Sequence, residues 1–293
     1  MPTSTRASIT RNARAPRHFA LRSIVRRRTA LLGGVILLIL VALSLAAPLV
    51  STQDPEKMVL AQVLKPPSQQ FPLGTDYLGR DILTRILYGG RLSLLIGLLA
   101  VAVGLAIGVP LGAISGYYGG WLDLVIQRIA DILLAFPGFL LSLSLVAALG
   151  IGLQNVILSV GIGALPSFIR LVRGSVLTIR ELTYVEAARA TGVPDWAILF
   201  RHVLPNALAP VIVQATLNLG TAILVAAGLG FLGLGVRPPT PEWGTMLGEG
   251  RNYIFSAWYI ATFPGLAIFF AVLGFNLLGD GLRDALDPRL KNF

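Results

Sequence analysis

The chain has 293 residues, 55% of them hydrophobic and 13% charged, with no cysteine and a net charge of +10. So few charges exclude an ordinary soluble domain, where about a quarter of residues are charged, and place the chain among integral membrane proteins. The missing thiols exclude disulfides, thiol catalysis and cysteine-ligated metals.

Residues 1–29 carry eight arginines and no acid, whereas the remaining positions hold 16 basic residues against 14 acidic. The excess charge is therefore an arginine tail beside an apolar helix. Such a tail holds its end in the cytoplasm and lies on anionic lipid, and no nucleic-acid partner is expected. The arginine flank, the apolar run and Ala46-Ala47 also fit a signal peptide, and Arg26-Arg27 fits a twin-arginine signal. Thr29 to Ser51 is 23 residues without charge, long enough to cross a bilayer, and the reading adopted is an uncleaved first helix.

Spans of about 20 apolar residues are predicted at 30–50, 92–116, 130–149, 154–172, 209–232 and 258–279, giving an all-α integral membrane protein with six transmembrane helices. Ile132 to Ile169 contains 38 uncharged residues, too many for one crossing. The polar piece Gly150 to Asn155 is the expected turn between two. Six spans put both termini on one side, and that arrangement with cytoplasmic termini leaves 17 of 24 basic residues inside, as the positive-inside rule asks. The chain divides into a cytoplasmic tail (1–29), a first transmembrane helix (30–50), an extracytoplasmic segment (51–91), a five-helix core (92–282) and a cytoplasmic C-terminal tail (283–293).

Gly104, Gly108, Gly112 and Gly116 recur every fourth residue and form one bare stripe for close helix packing. Pro110, Pro137 and Pro264 are candidate kink sites. Asp123 and Asp131 beside Arg128, and Asp280, Asp284 and Asp287 beside Arg283 and Arg289, are expected to form ion pairs at helix ends.

The polar stretch 180–204 reads as two short helices around a bend. Thr183 and Glu186 have capping-box spacing, Gly192 stops the first helix, and Pro194 with Asp195 suits the start of a second. Trp196, Leu199, Phe200 and Val203 then make an apolar face at helical spacing. Periodicity alone also permits an interfacial helix lying on the membrane, whereas the small pair Ala187-Ala188 fits close approach by another protein. The other histidine is His18, so His202 is expected to cap or pack and not to bind metal.

Glu186-Ala187-Ala188, Gly192 and Leu204-Pro205, at this spacing, resemble the coupling loop of membrane subunits of ATP-binding-cassette importers. Pro72 to Asp81, Arg85 to Leu94, Phe231 to Gly244 and Asn276 to Arg289 resemble segments of the dipeptide, oligopeptide and nickel permeases, C-type subunit. His202 and Pro194-Asp195 depart from the general loop pattern, although Arg201 to Asn206 fits this subfamily. The resemblance implies a type I importer permease in a bacterial or archaeal cytoplasmic membrane. It would transport peptides together with a homologous B-type permease, two ATPase subunits and an extracytoplasmic binding protein. Glu186, Ala187, Ala188, Gly192, Leu204 and Pro205 would contact an ATPase. Nickel or another small solute is the alternative cargo, and a secondary transporter the alternative class. No Gly-Lys-Ser/Thr phosphate loop, metal-site spacing or nucleophile motif is present, so no catalytic residue, metal or cofactor is assigned to this chain. ATP and Mg would be bound by the partner ATPases.

Overall fold

The computed structural model describes residues 27–286. All but the last three residues of the arginine tail, together with Asp287, Arg289 and Lys291, lie outside that range. Regular structure among the described residues is helical apart from an isolated bridge between Thr75 and Asp81.

Helices α1 (Arg28–Leu45) and α2 (Ala47–Val50) lead into an irregular segment. Helix α3 (Ile82–Tyr118) starts ten residues before the predicted span. Asp81 caps it by accepting the Thr84 N–H at 2.8 Å, and Arg85, inside its first turns, is buried in an ionic cluster that a hydropathy reading cannot anticipate. Gly119 and Gly120, both at positive φ (66° and 57°), turn the chain into α4 (Gly120–Leu134).

Helices α4 and α5 (Gly138–Leu149) meet at a 91° bend, which corrects the single continuous span expected at 130–149. Proline lacks an N–H and pushes its predecessor out of the helical region, so Pro137 ends α4 near Phe136. Pro110 and Pro264 sit inside unbroken helices. With 12 residues α5 rises about 18 Å, roughly two thirds of a hydrocarbon core.

Gly150 and Gly152, both at positive φ, make the turn into α6 (Leu153–Arg180). Asn155 Nδ2 closes that turn by donating to the Leu149 and Gly150 carbonyls, each at 2.9 Å. Helices α7 (Thr183–Ala190), α8 (Asp195–Ile198), α9 (Leu204–Phe231), α10 (Trp243–Gly250) and α11 (Tyr259–Leu286) follow. Among the described residues, five stretches are long and apolar enough to cross a membrane: α1, α3, α6, the run from α8 through α9, and α11. The bent α4–α5 pair has the geometry of a broken span or a re-entrant loop, and counted as one span it brings the total to six.

Helices α3, α5, α6 and α9 enclose the main core, which includes Ile96, Ala100, Val146, Val156, Phe168 and Ala226. The glycine stripe of α3 lies against α6. A Cβ built on Gly112 would stand 2.6 Å from the Ile169 carbonyl oxygen, and one on Gly116 would stand 2.9 Å from that of Arg173. A second glycine contact joins α1 to α11, where Gly33 faces the Gly274 backbone and Gly281 faces Ala30.

Candidate functional site

The polar stretch forms an elbow at one end of the bundle. Helix α7 has Leu182, not Thr183, at its N-cap, and no side chain caps it. The expected capping box is therefore absent: the Leu182 carbonyl accepts the Val185 and Glu186 N–H groups directly. At the other end Gly192, at φ 81°, donates to the Arg189 carbonyl and Val193 donates to that of Ala188. This paired bonding closes the helix in a left-handed C-cap, which a glycine adopts without Cβ strain.

One side of the elbow is anchored. Val185, Ile198, Leu199, Val203 and Ala207 are buried with Tyr117, Val172 and Val176 from α3 and α6. Tyr117 Oη donates to Asp195 Oδ1 at 2.6 Å, pinning the start of α8 to the end of α3. Leu199–Val203 forms a wide π-turn between α8 and α9. The His202 carbonyl accepts Tyr184 Oη at 3.1 Å and Asn206 Nδ2 at 2.6 Å. These bonds tie α7 to the base of α9.

The other side is bare. Glu186, Ala187, Gly192 and Pro205 are exposed, while Ala188 and Leu204 are half-buried against the anchor. Nothing lies within 4 Å of a Cβ placed on Gly192. The apolar face expected from Trp196, Leu199, Phe200 and Val203 is divided between the two sides. Leu199 and Val203 point into the bundle, whereas Trp196 and Phe200 stand outside, each more than half exposed. The widened turn rotates these positions away from 3.6-residue spacing.

The acidic residues near this end pair across helices, not with Arg128. Arg173 on α6 grips Asp123 with two bonds of 2.6 Å, and Arg170 reaches Asp131 at 2.6 Å. Ser115 and Gln127 extend the Asp123 cluster. Arg180 Nη1 donates to the Gly116 carbonyl at 2.8 Å and caps the end of α3. Among the described residues no ion pair joins Asp280 or Asp284 to Arg283, and the Asp287 and Arg289 members of the expected cluster lie outside the described residues.

The opposite end carries a folded cap made from two distant segments. Arg80 and Arg85, both 1% exposed, share Glu249 and Asp76. Arg85 Nη1 also donates to the carbonyls of Pro55 and Pro239, each at 3.1 Å. Tyr77 donates to Glu249 at 3.2 Å, and burial, reinforced by Glu249, pushes its phenol above the ordinary value so that it stays protonated. Glu242 caps α10, accepting from Gly244 N and Thr245 N at 2.8 Å and from Ser93 Oγ at 3.1 Å. Trp243, 1% exposed, is held by its indole N–H on the Ile86 carbonyl. Breaking one partner of such a buried pair costs about 3–5 kcal/mol, so these contacts tie the two segments of the cap together.

Residues 108–292, well over half of the chain, match the family described as binding-protein-dependent transport system inner membrane component. The chain belongs to that family. Residues 16–67 match the N-terminal TM domain of oligopeptide transport permease C. The glutathione transport system permease protein GsiD of Pectobacterium atrosepticum is 47% identical over 283 residues, covering 96% of this chain and 94% of the relative. The dipeptide transport system permease protein DppC of Alkalihalophilus pseudofirmus is 48% identical over 278 residues, covering 95% and 91%. In fold, the chain is similar to one of the MetNI methionine ABC transporter, solved in inward-facing conformations. That likeness has a TM-score of 0.57 at 23% identity and covers 69% of this chain and 96% of the other.

This permease is therefore a multi-pass membrane component of an ABC transport system, and the secondary-transporter alternative is set aside. Its elbow contains all six residues singled out in the sequence, five within 183–204 and Pro205 at the start of α9. Sequence reasoning missed Tyr117, Tyr184 and Asn206 as the ties that hold the elbow. Asn206 had a signal, since it closes the Arg201 to Asn206 motif. The two tyrosines had none, because their partners lie 78 and 18 residues away.

Proposed function

We propose that this permease lines the translocation pathway of an ATP-driven peptide importer, together with a homologous B-type permease. Two ATPase subunits bind ATP and Mg on the cytoplasmic side, and one of them grips the bare face of the elbow. A substrate-loaded binding protein docks on the outer cap. The excess of basic residues on the elbow side supports cytoplasmic termini. The names of the relatives support a peptide or glutathione cargo.

One observation carries the coupling role: the elbow is anchored on one side and bare on the other. Val185, Ile198, Leu199 and Val203 are fully buried, while Glu186, Ala187, Trp196 and Phe200 are exposed. A helix meant only to lie on lipid would not need a carboxylate and a small alanine, Glu186 and Ala187, on its outward turn. A rigid partner surface would need both a close approach and a charged contact there. Movement of the ATPases would pass through Tyr117–Asp195 and Tyr184–Asn206 into α3 and α9. The two transporter states would differ in energy through these contacts.

Glu186→Lys in the assembled transporter is the direct test. Peptide uptake in vesicles should fall at least about tenfold while the subunit remains inserted at normal abundance. Uptake at the wild-type rate would remove the coupling role.

A further inference from the structure

A cavity of about 220 Å³ opens between α5, α6 and α9. No charged side chain lines it, and its polar groups are Ser142, Ser167, Asn218 and Thr221, set among Phe139 and Val225. Ser167 and Asn218 stand at the middle of 28-residue helices, α6 and α9. Three of the four polar residues meet part of their need inside their own helices: Ser167 donates to the Ala164 carbonyl at 2.7 Å, Ser142 to that of Gly138 at 3.1 Å, and Thr221 to that of Leu217 at 3.5 Å.

Asn218 is different. Its single side-chain bond among the described residues runs from Nδ2 to Ser167 Oγ at 3.5 Å, near the limit of such contacts. A carboxamide offers two N–H donors and two oxygen lone pairs, so most of its capacity is unused. Asn218 is half-buried and faces the cavity, where hydrocarbon offers no partner and water or a ligand has to satisfy the rest of the amide. Ser159, directly before Val160 on α6 and outside the cavity lining, has a buried hydroxyl with no partner among the described residues. Lipid can satisfy none of these groups.

We infer that the α5–α6–α9 cavity is the part of this chain that contacts the passing solute, with Asn218 bonding the main-chain amides of a peptide. This rests on the peptide-importer reading above. An amide recognises an amide in both directions, as donor and as acceptor, so the peptide backbone is matched whatever its side chains are. The absence of charge in the lining lets acidic, basic and neutral peptides pass alike. The break at Pro137 places the start of α5 beside the cavity, since Gly138 and Phe139 both line it.

The natural chain has no cysteine, so single thiols report cleanly. Thr221→Cys and Ser167→Cys, in the complete transporter in vesicles, are exposed to a membrane-impermeant thiol reagent. Ile212→Cys, on the exposed apolar side of α9, is the control. Both cavity thiols should react at least about tenfold faster than the control, and turnover with ATP, binding protein and a dipeptide should slow them. Asn218→Leu should lower uptake of acidic, basic and neutral dipeptides by a similar factor, with Asn218→Gln recovering part of it. Cavity thiols as inert as the control would overturn the inference, as would labelling that no transported solute slows. Slowing by a solute that is not a peptide would uphold the cavity as the passage and refute the peptide cargo.

Discussion

Gly192 shows how one residue sets the shape of the elbow. Its φ of 81° is available to glycine at no steric penalty, whereas a residue with a Cβ loses about 1–2 kcal/mol there. Because the surrounding space is empty, backbone conformation and not crowding decides the outcome. Gly192→Val should therefore loosen the elbow and reduce uptake several-fold, while Gly192→Asn, which tolerates the left-handed region, should retain most of it. Parallel uptake assays at matched membrane abundance check this, and equal activity of the two variants would contradict it. Gly192 and the Glu186-Ala187-Ala188 turn were legible in the sequence because a stop glycine and a short motif are local signals. Arg173 was not. Local spacing pointed Asp123 toward Arg128, five residues away on the same helix, yet its bonds come from a helix 50 residues later in the chain. Opposite charges on facing helices leave no local pattern to read.

At the scale of helices, the α3–α6 contact explains why its glycines are not equivalent. A methyl group at Gly112 meets the Ile169 carbonyl oxygen at 2.6 Å, and backbone cannot rotate away. A methyl group at Gly104 meets the ring edge of Phe168 at 3.1 Å, and a ring can shift. Gly112→Ala should destabilise the subunit by about 1–3 kcal/mol, the usual range for overpacking, and Gly104→Ala by clearly less. Thermal melting of the two variants in detergent measures the difference, and reversal of that order would contradict the packing. The stripe could be read in advance because every fourth residue falls on one helical face. The α1–α11 contact through Gly33, Gly274 and Gly281 was not read, since those glycines follow no single period. Helix limits were the least legible feature. Hydropathy stops at a charge, but α3 runs back to Ile82 through the buried Arg85, and α6 runs on through Arg170, Arg173 and Arg180. Pro137 was recognised as a kink site, but the size of the bend follows from where Ile126 and Ala130 of α4 find partners, namely Leu165 and Ile169 on α6.

Across the whole molecule, the two ends differ in how deeply their ionic contacts are buried: side chains of the cap arginines are at most 1% exposed, whereas Arg170 and Arg173 at the elbow end are 53% and 32% exposed. The cap locks residues 76–85 to residues 239–249 through buried arginines. The elbow is held by Tyr117 on the Asp195 carboxylate, Tyr184 on the His202 carbonyl and a small apolar cluster, leaving a bare face turned outward. Under the proposed function, force would arrive at the bare elbow and a loaded binding protein at the cap. The central claim is that force reaches the permease through direct protein contact on the elbow. Ala187→Cys, on the bare turn of α7, placed in the assembled transporter and treated with a short thiol-reactive photo-cross-linker, tests it most directly. The account predicts a covalent adduct between this chain and the ATPase subunit, with a yield that changes when ATP is added. An adduct that forms only with lipid, or with no partner subunit at all, would contradict it.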